Sequence, residues 1–378
     1  MMNNTKIAIL TLYYKNYNYG GVLQAYAMQR ALNQLGYDAV QISYRLETGK
    51  ENWNPVKAKI KKPLAYIYHL MKYGTWYKNY NLRRKKIEAF SIQIPHTEVV
   101  TASTITKLSD QYDCYICGSD QIWNPLSWQP TFFFDFLPEN KKRIAYASSI
   151  SRETLTEEEY TFISKYIGLF TAVSVREGNS AEMLEQRFPE SKVECMPDPV
   201  FLLDKTEWEK IANKKSSQDA YIFAYFLGKD NGNREAAFQY AKEMGIKIIF
   251  SSHMNYQQYQ WERTHTKEIS APLGVEEFLQ KISNATLVLT DSFHAAAFSS
   301  IYRTPFFVLP RFKANEKNSM NSRIRNLVEE LGIAARFTDK LEDDYGWKVN
   351  ELENISRNIK RLQKKGKDFL IYAINSDK

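Results

Sequence analysis

Lys6-Ile-Ala-Ile-Leu-Thr-Leu12, Asn18-Tyr-Gly-Gly21, Val22-Leu-Gln-Ala-Tyr-Ala-Met-Gln-Arg-Ala-Leu-Asn-Gln-Leu35 and Asp38-Ala-Val-Gln-Ile-Ser-Tyr44 follow one another at the start of the chain. The unbroken apolar run from Lys6 reads as a strand buried on both faces. The apolar-periodic run to Leu35, stopped by Gly36, reads as a helix, and Asp38–Tyr44 as the next strand. This is a βαβ unit with glycines at its first turn. A backbone must approach something closely there, or, for Gly20, a tight turn needs a glycine φ angle. The pattern lacks G-x-G-x-x-G, which argues against a nicotinamide or flavin site.

The alternation continues outward from this unit. Tyr112-Asp-Cys-Tyr-Ile-Cys117 reads as a strand leading into Gly118-Ser119-Asp120 and Trp123. Cys114 and Cys117 would face opposite sides of that strand, so their C-x-x-C spacing is neither a redox nor a zinc pair. Arg143–Ser148 and Ala172–Arg176 read as further strands, so Arg176 closes the second, just before a helix. Met196-Pro-Asp-Pro199, with the polar stretch Lys205–Gln218 beyond it, reads as a domain boundary.

A second series follows, with strands at Tyr221–Leu227, Lys247–Phe250, Leu287–Leu289 and Phe306–Leu309. The sequence therefore predicts an α/β chain of two doubly wound, Rossmann-like domains facing a central cleft. Their expected bounds are 1–200, with a helical insertion at about 52–90, and 205–345. A C-terminal helix in 346–378 would pack back on the first domain.

A chain of 378 residues exceeds one ordinary core. Its net charge of +8 favours anionic partners. Three cysteines make no disulfide framework, which points to a reducing compartment. No signal peptide or membrane span is read, so a soluble cytoplasmic protein is expected. Residues 52–87 hold ten Lys/Arg and no acid, interleaved with Tyr66, Tyr68, Tyr73, Trp76, Tyr77 and Tyr80. Two readings stand: a surface resting peripherally on the inner face of an anionic membrane, and a solvated helical hairpin. No recognition motif supports nucleic acid.

The chemistry points to Leu287-Val-Leu-Thr-Asp-Ser-Phe-His-Ala-Ala-Ala-Phe-Ser-Ser-Ile-Tyr302. Thr290, Asp291 and Ser292 can each cap the helix that follows the strand. His294 then falls in the first turn, where free N–H groups and the helix dipole favour an anion. A packed, structural histidine is the alternative. Arg176 suits a bidentate grip on phosphate or carboxylate, or an ion pair with Glu177. The basic loop Arg311–Lys317 either closes over an anionic substrate or is simply solvated.

Asn18-Tyr-Gly-Gly-Val-Leu-Gln-Ala-Tyr-Ala27, Gly118-Ser-Asp-Gln-Ile-Trp123, Tyr146-Ala-Ser-Ser149, Ser174-Val-Arg-Glu177, Pro197-Asp-Pro199 and Thr290-Asp-Ser-Phe-His294, in this order, resemble the polysaccharide pyruvyl transferase family. The resemblance runs from about residue 6 to about residue 335. It implies a GT-B-like fold and transfer of the enolpyruvyl part of phosphoenolpyruvate to two hydroxyls of a sugar, with no cofactor and no metal.

The resemblance also assigns roles. His294 matches the active-site histidine, and Arg176 an arginine that holds the donor. Ser292-Phe293-His294 departs from the family's basic-apolar-His triplet, so either Arg311, Lys313 or Arg323 supplies the missing charge or the chain uses another donor. Ser292 and Phe293 border the donor. Asp120 is the expected base or sugar contact, with Gly20, Gly21, Ser119 and Trp123 toward the acceptor, a sugar that a lipid-linked oligosaccharide would provide. A GT-B glycosyltransferase using a nucleotide sugar is the alternative.

Overall fold

The computed structural model describes residues 5–376 apart from 47–54, 213–218, 229–231, 252–254, 267–268 and 314–319; the side chains of 55–63 also lie outside the described residues. Seven strands build the first sheet: β1 (Lys6–Leu10), β2 (Asp38–Tyr44), β3 (His96–Val100), β4 (Cys114–Cys117), β5 (Lys142–Ser148), β6 (Ala172–Val175) and β7 (Glu194–Cys195). They lie in the order 3-2-1-4-5-6-7, and every pairing is parallel. The first six strands keep the order of a doubly wound dinucleotide-type sheet, whose crevice opens where the order reverses, between β1 and β4. Strand β3 is not announced by an apolar run. It is an edge strand that buries Thr97 and Val100 while His96, Glu98 and Val99 face solvent.

The second sheet contains β8 (Tyr221–Tyr225), β9 (Lys247–Phe250), β10 (Leu287–Thr290) and β11 (Phe306–Val308), parallel in the order 11-10-8-9. Its order reverses between β8 and β10. Helices α1 (Tyr19–Gln34), α2 (Pro55–Tyr73), α3 (Thr75–Ser91), α4 (Glu157–Ser164) and α5 (Gly178–Arg187) belong to the first half. Helices α6 (Lys205–Ala212), α7 (Asn233–Glu243), α8 (Tyr256–His265), α9 (Val275–Asn284), α10 (Phe293–Tyr302) and α11 (Asn321–Glu330) follow, and α12 (Val349–Asn375) ends the chain. Cys114 joins the core on one face of the first sheet and Cys117 the core on the other, as their odd spacing requires. Burial pushes both thiols up to about 12.

Two expectations are corrected here. The stretch between the two sheets is packed and helical, not simply polar: Val200, Phe201, Leu202 and Leu203 are buried, and Lys205–Ala212 is helix α6, anchored by a fully buried Trp208. The tail of that stretch, 213–218, lies outside the described residues. The basic aromatic hairpin is not simply solvated either. Its helix α3 buries Arg83, Ile87 and Phe90, and Lys86 forms an ion pair with Glu277 of α9.

Helix α12 crosses back to the first sheet. Lys142 donates to the Ile374 carbonyl (2.6 Å), Lys365 donates to the Cys195 carbonyl (2.7 Å), and Phe369 meets the ring of Tyr146. Gly366 lies where a Cβ would run into the Tyr146 hydroxyl and Leu202. A glycine-to-alanine change in a helix ordinarily gains up to about 1 kcal/mol. Here overpacking, at about 1–3 kcal/mol, opposes that gain. Gly366→Ala should therefore lower the melting temperature; an increase would show that α12 does not pack so tightly.

Candidate active site

The carboxyl ends of the two sheets meet at α10. Ser292 has extended backbone (φ −100°, ψ 126°) and its hydroxyl accepts the Ala295 N–H (3.4 Å), so it is the N-cap. The other two candidate caps serve the strand ends instead. Thr290 donates to the Tyr225 carbonyl and accepts the Ser292 N–H. Asp291 accepts the N–H groups of Leu227 (2.7 Å) and Gly228 (2.8 Å). These contacts clamp β10 to the end of β8 and fix where the helix starts.

His294, in the first turn of α10, reaches across to the first half of the chain. Its ring lies against Gly20, where any Cβ would clash with the imidazole. Gly20 is inside α1, capped by Asn18, and serves close approach; no turn of unusual φ requires it. Gly21 is packed in the same way against the side chain of Asn16. On its other side, His294 Nε2 lies 3.5 Å from Asp198 Oδ2. That oxygen also accepts from Arg176 Nη1 (2.8 Å) and from Ser119 Oγ (3.0 Å), while Oδ1 caps the Pro199–Leu202 turn through the Val200 N–H. Burial alone would raise the Asp198 pKa, but the positive charges and hydrogen bonds of His294 and Arg176 outweigh it and hold the carboxyl well below the usual range.

Arg176 is fully enclosed. Besides Asp198 it faces Glu177 (Nε to Oε1, 3.4 Å), and its guanidinium lies 4.5 Å from the centre of the Phe293 ring. Glu177 accepts from Ser149, whose hydroxyl is in contact with Ser151; Ser151 in turn accepts from Arg323 Nη1 (3.4 Å). Three residues around this network, Asp120 (φ 75°), Ala147 (φ 50°) and Ser151 (φ 56°), hold left-handed backbone that side chains disfavour. The Ser149 N–H to Asp120 carbonyl bond (3.0 Å) and the Ala147 N–H to Ser174 hydroxyl bond (3.0 Å) maintain it. Backbone held this way is typical of ligand sites.

Arg176, Asp198, Phe293 and Arg323 line a cleft of about 470 Å³ between the two halves. Arg176 Nη2 and Arg323 Nε are buried without a hydrogen-bond partner among the described residues. Burial pulls the Arg323 guanidinium down to about 9, and the positive charges of Arg176 and Arg311 add to the effect. A guanidinium remains protonated near neutrality even so. The cleft lining also carries Glu177, Glu182, Glu329 and Glu330, so an anion would be held by the two incompletely satisfied guanidinium groups and not by a general positive field.

The remaining sequence-expected residues divide. Ser119 is buried and holds Asp198. Asp120 is partly exposed and close enough to act on Arg176 electrostatically, with its carboxylate accepting the Gln121 N–H. Trp123 is corrected: it is fully buried, stacked on Phe133 at 4.8 Å and donating to the Phe132 carbonyl, so no sugar can reach it. Ser292, occupied as cap and buried, presents little to a donor. Arg311 donates to the Asp291 carbonyl (2.7 Å). Lys313 lines a different cleft, beside Phe312 and Arg325, and the rest of its loop, 314–317, lies outside the described residues. Asp198 joins the site although its sequence motif, flanked by prolines, suggests only a break in the chain. The available signal was the apolar run after its prolines, which marks Asp198 as buried.

Solved structures are similar to this chain. UDP-N-acetylglucosamine 2-epimerase from Rickettsia bellii is 10% identical, with 98% of each chain covered and a TM-score of 0.50. The Methanocaldococcus jannaschii UDP-GlcNAc 2-epimerase in complex with UDP-GlcNAc and UDP is 13% identical, covering 95% of this chain and 99% of its own at a TM-score of 0.48. A glycosyltransferase involved in avilamycin A biosynthesis is 11% identical, covering 98% and 97% at 0.48. The fold is thus of the GT-B type. No curated protein sequence matches. The family described as polysaccharide pyruvyl transferase matches residues 18–311, which include His294, Asp198, Arg176 and Gly20. The chain belongs to the polysaccharide pyruvyl transferase family.

Proposed function

We propose that this transferase moves the enolpyruvyl group of phosphoenolpyruvate onto two hydroxyls of a sugar, releasing inorganic phosphate and leaving a pyruvate ketal on a polysaccharide precursor. The observation that carries the reading is that buried Arg176 and Arg323, one from each half of the chain, both line the cleft. Phosphoenolpyruvate brings a carboxylate and a phosphate, and two guanidinium groups suit two such anions. Arg323 also answers the missing charge at Ser292, because it reaches the cleft from α11.

In the proposed reaction a proton adds to the C3 methylene, making it the methyl group, while a sugar hydroxyl bonds to C2. The C2–O bond to phosphate breaks, phosphate leaves with its electron pair, and the second hydroxyl closes the ketal. Each hydroxyl loses one proton: one replaces that delivered to C3 and the other leaves with phosphate. His294, paired with Asp198, is the proposed acid and base. Asp120, near Arg176, is the proposed second base. Phe293 packs against the Arg176 guanidinium in a cation–π contact. A lipid-linked sugar is the proposed acceptor class.

Thermal shift with phosphoenolpyruvate against nucleotides and nucleotide sugars tests the donor. At a hundredfold excess over Kd, the true donor raises stability by about 2.7 kcal/mol. Arg323→Met should abolish the shift given by phosphoenolpyruvate. The unliganded variant should match or exceed wild-type stability, because an incompletely satisfied buried cation is gone. A shift with UDP-sugars and none with phosphoenolpyruvate would favour glycosyl transfer instead.

A further inference from the structure

The enzymatic reading leaves helix α2 unused. Leu64, Ile67, Tyr68 and Met71 fall at i, i+3, i+4 and i+7, on one face of that helix. All four face solvent, at 63%, 52%, 57% and 83% exposure, and Tyr66 beside them is also exposed. A stripe of large apolar side chains at helical spacing ordinarily faces a core. Here the packed face of the hairpin belongs to α3, and the apolar stripe of α2 points outward.

Charge identifies what would cover it. The segment 52–87 carries ten Lys/Arg and no acid, while the rest of the chain is close to neutral. The positive excess of the whole protein therefore resides in this hairpin. Lys72 lies next to the stripe, its ammonium over the rings of Tyr68 and Tyr73. An exposed apolar stripe with aromatic rings, flanked by lysine and free of acids, is what an interfacial helix presents to anionic lipid. A second copy of the chain would bring ten like charges against ten, which opposes pairing through this face.

We propose that α2 docks this protein on an anionic lipid surface, with Leu64, Ile67, Tyr68 and Met71 inserted at the headgroup boundary. Helix α3 ties the hairpin to the cleft region: Arg83 lies over the ring of Tyr19, the residue before Gly20, and Lys86 reaches Glu277. Docking would thus hold the active site beside the bilayer, where a lipid-linked acceptor is presented; that last step rests on the acceptor proposed above, whereas docking itself does not.

Co-sedimentation of the full chain with vesicles tests it. Binding is expected to vesicles of equal parts phosphatidylcholine and phosphatidylglycerol, not to phosphatidylcholine alone, and to weaken as salt rises. The double variant Ile67→Ser, Met71→Ser should lose about tenfold or more in partitioning, with an unchanged melting temperature and unchanged phosphate release on a soluble acceptor. Wild-type protein that ignores the anionic vesicles at low salt overturns the proposal. So does a double variant that still binds, or a wild-type dimer that the variant converts to monomer. Failure of phosphate release with intact vesicle binding would instead count against the proposed reaction.

Discussion

His294→Ala should lower phosphate release from phosphoenolpyruvate plus acceptor by about 10²–10⁴-fold, the usual contribution of a positioned acid or base. The fold should survive the change. His294 contacts Gly20 and Asp198, and Asp198 keeps Arg176 and Ser119 as partners when the imidazole is gone. Thermal shift with phosphoenolpyruvate should likewise persist, because Arg176 and Arg323 remain in place. Single-turnover phosphate release alongside the thermal shift separates the two roles: donor binding without turnover is expected. Turnover near wild type would remove His294 from the chemistry, and loss of both readouts would make it a donor ligand.

Asp198→Ala should cost about 3–5 kcal/mol of stability, the range for breaking a buried pair by deleting one partner. It strips Arg176 of its shortest ion pair, leaves Ser119 without its acceptor and uncaps the turn at Pro199. Asp198→Asn should cost less, because its amide can still accept one hydrogen bond, yet it should also slow turnover by removing the charge facing His294. Because the folded pKa of Asp198 lies below its unfolded value of about 3.9, its contribution is fully present above that value. It is lost as pH falls through the lower folded value. Chemical denaturation at pH 7 and in the acid range measures this; an alanine variant as stable as wild type would contradict the network described here.

Much of the architecture was legible because strands buried on both faces are written as unbroken apolar runs, as in Lys6–Leu12 and Leu287–Leu289. His294 was legible from its place just after a strand, and Arg176 from the same logic on β6. What escaped depends on tertiary context. The glycine at position 20 reads as a turn residue until the imidazole packed against it is known. Trp123 sits in a polar motif but turns its ring into the core. Asp198 lies between prolines, which suggest a break in the chain, and only its neighbours across 22 and 96 residues of sequence, Arg176 and His294, give it a purpose. Arg323 carries no motif at all; the fold brings α11 to the cleft.

The chain crosses between the two sheets twice, once after β7 and again on the way to α12. Two covalent crossings act as paired hinge pins: the halves can turn about the line joining them but cannot slide apart. Helix α3, fastened to α9 by Lys86 and Glu277, and Tyr19, whose hydroxyl donates to the Leu273 carbonyl, add further points of attachment. That ion pair is partly exposed, so it is a weak fastening of about 0–1 kcal/mol. Any swing that widens the cleft must also part the stacked rings of Tyr19 and Phe278 and draw His294 away from Gly20 and Asp198, so it costs buried contacts as well as the exposed ion pair.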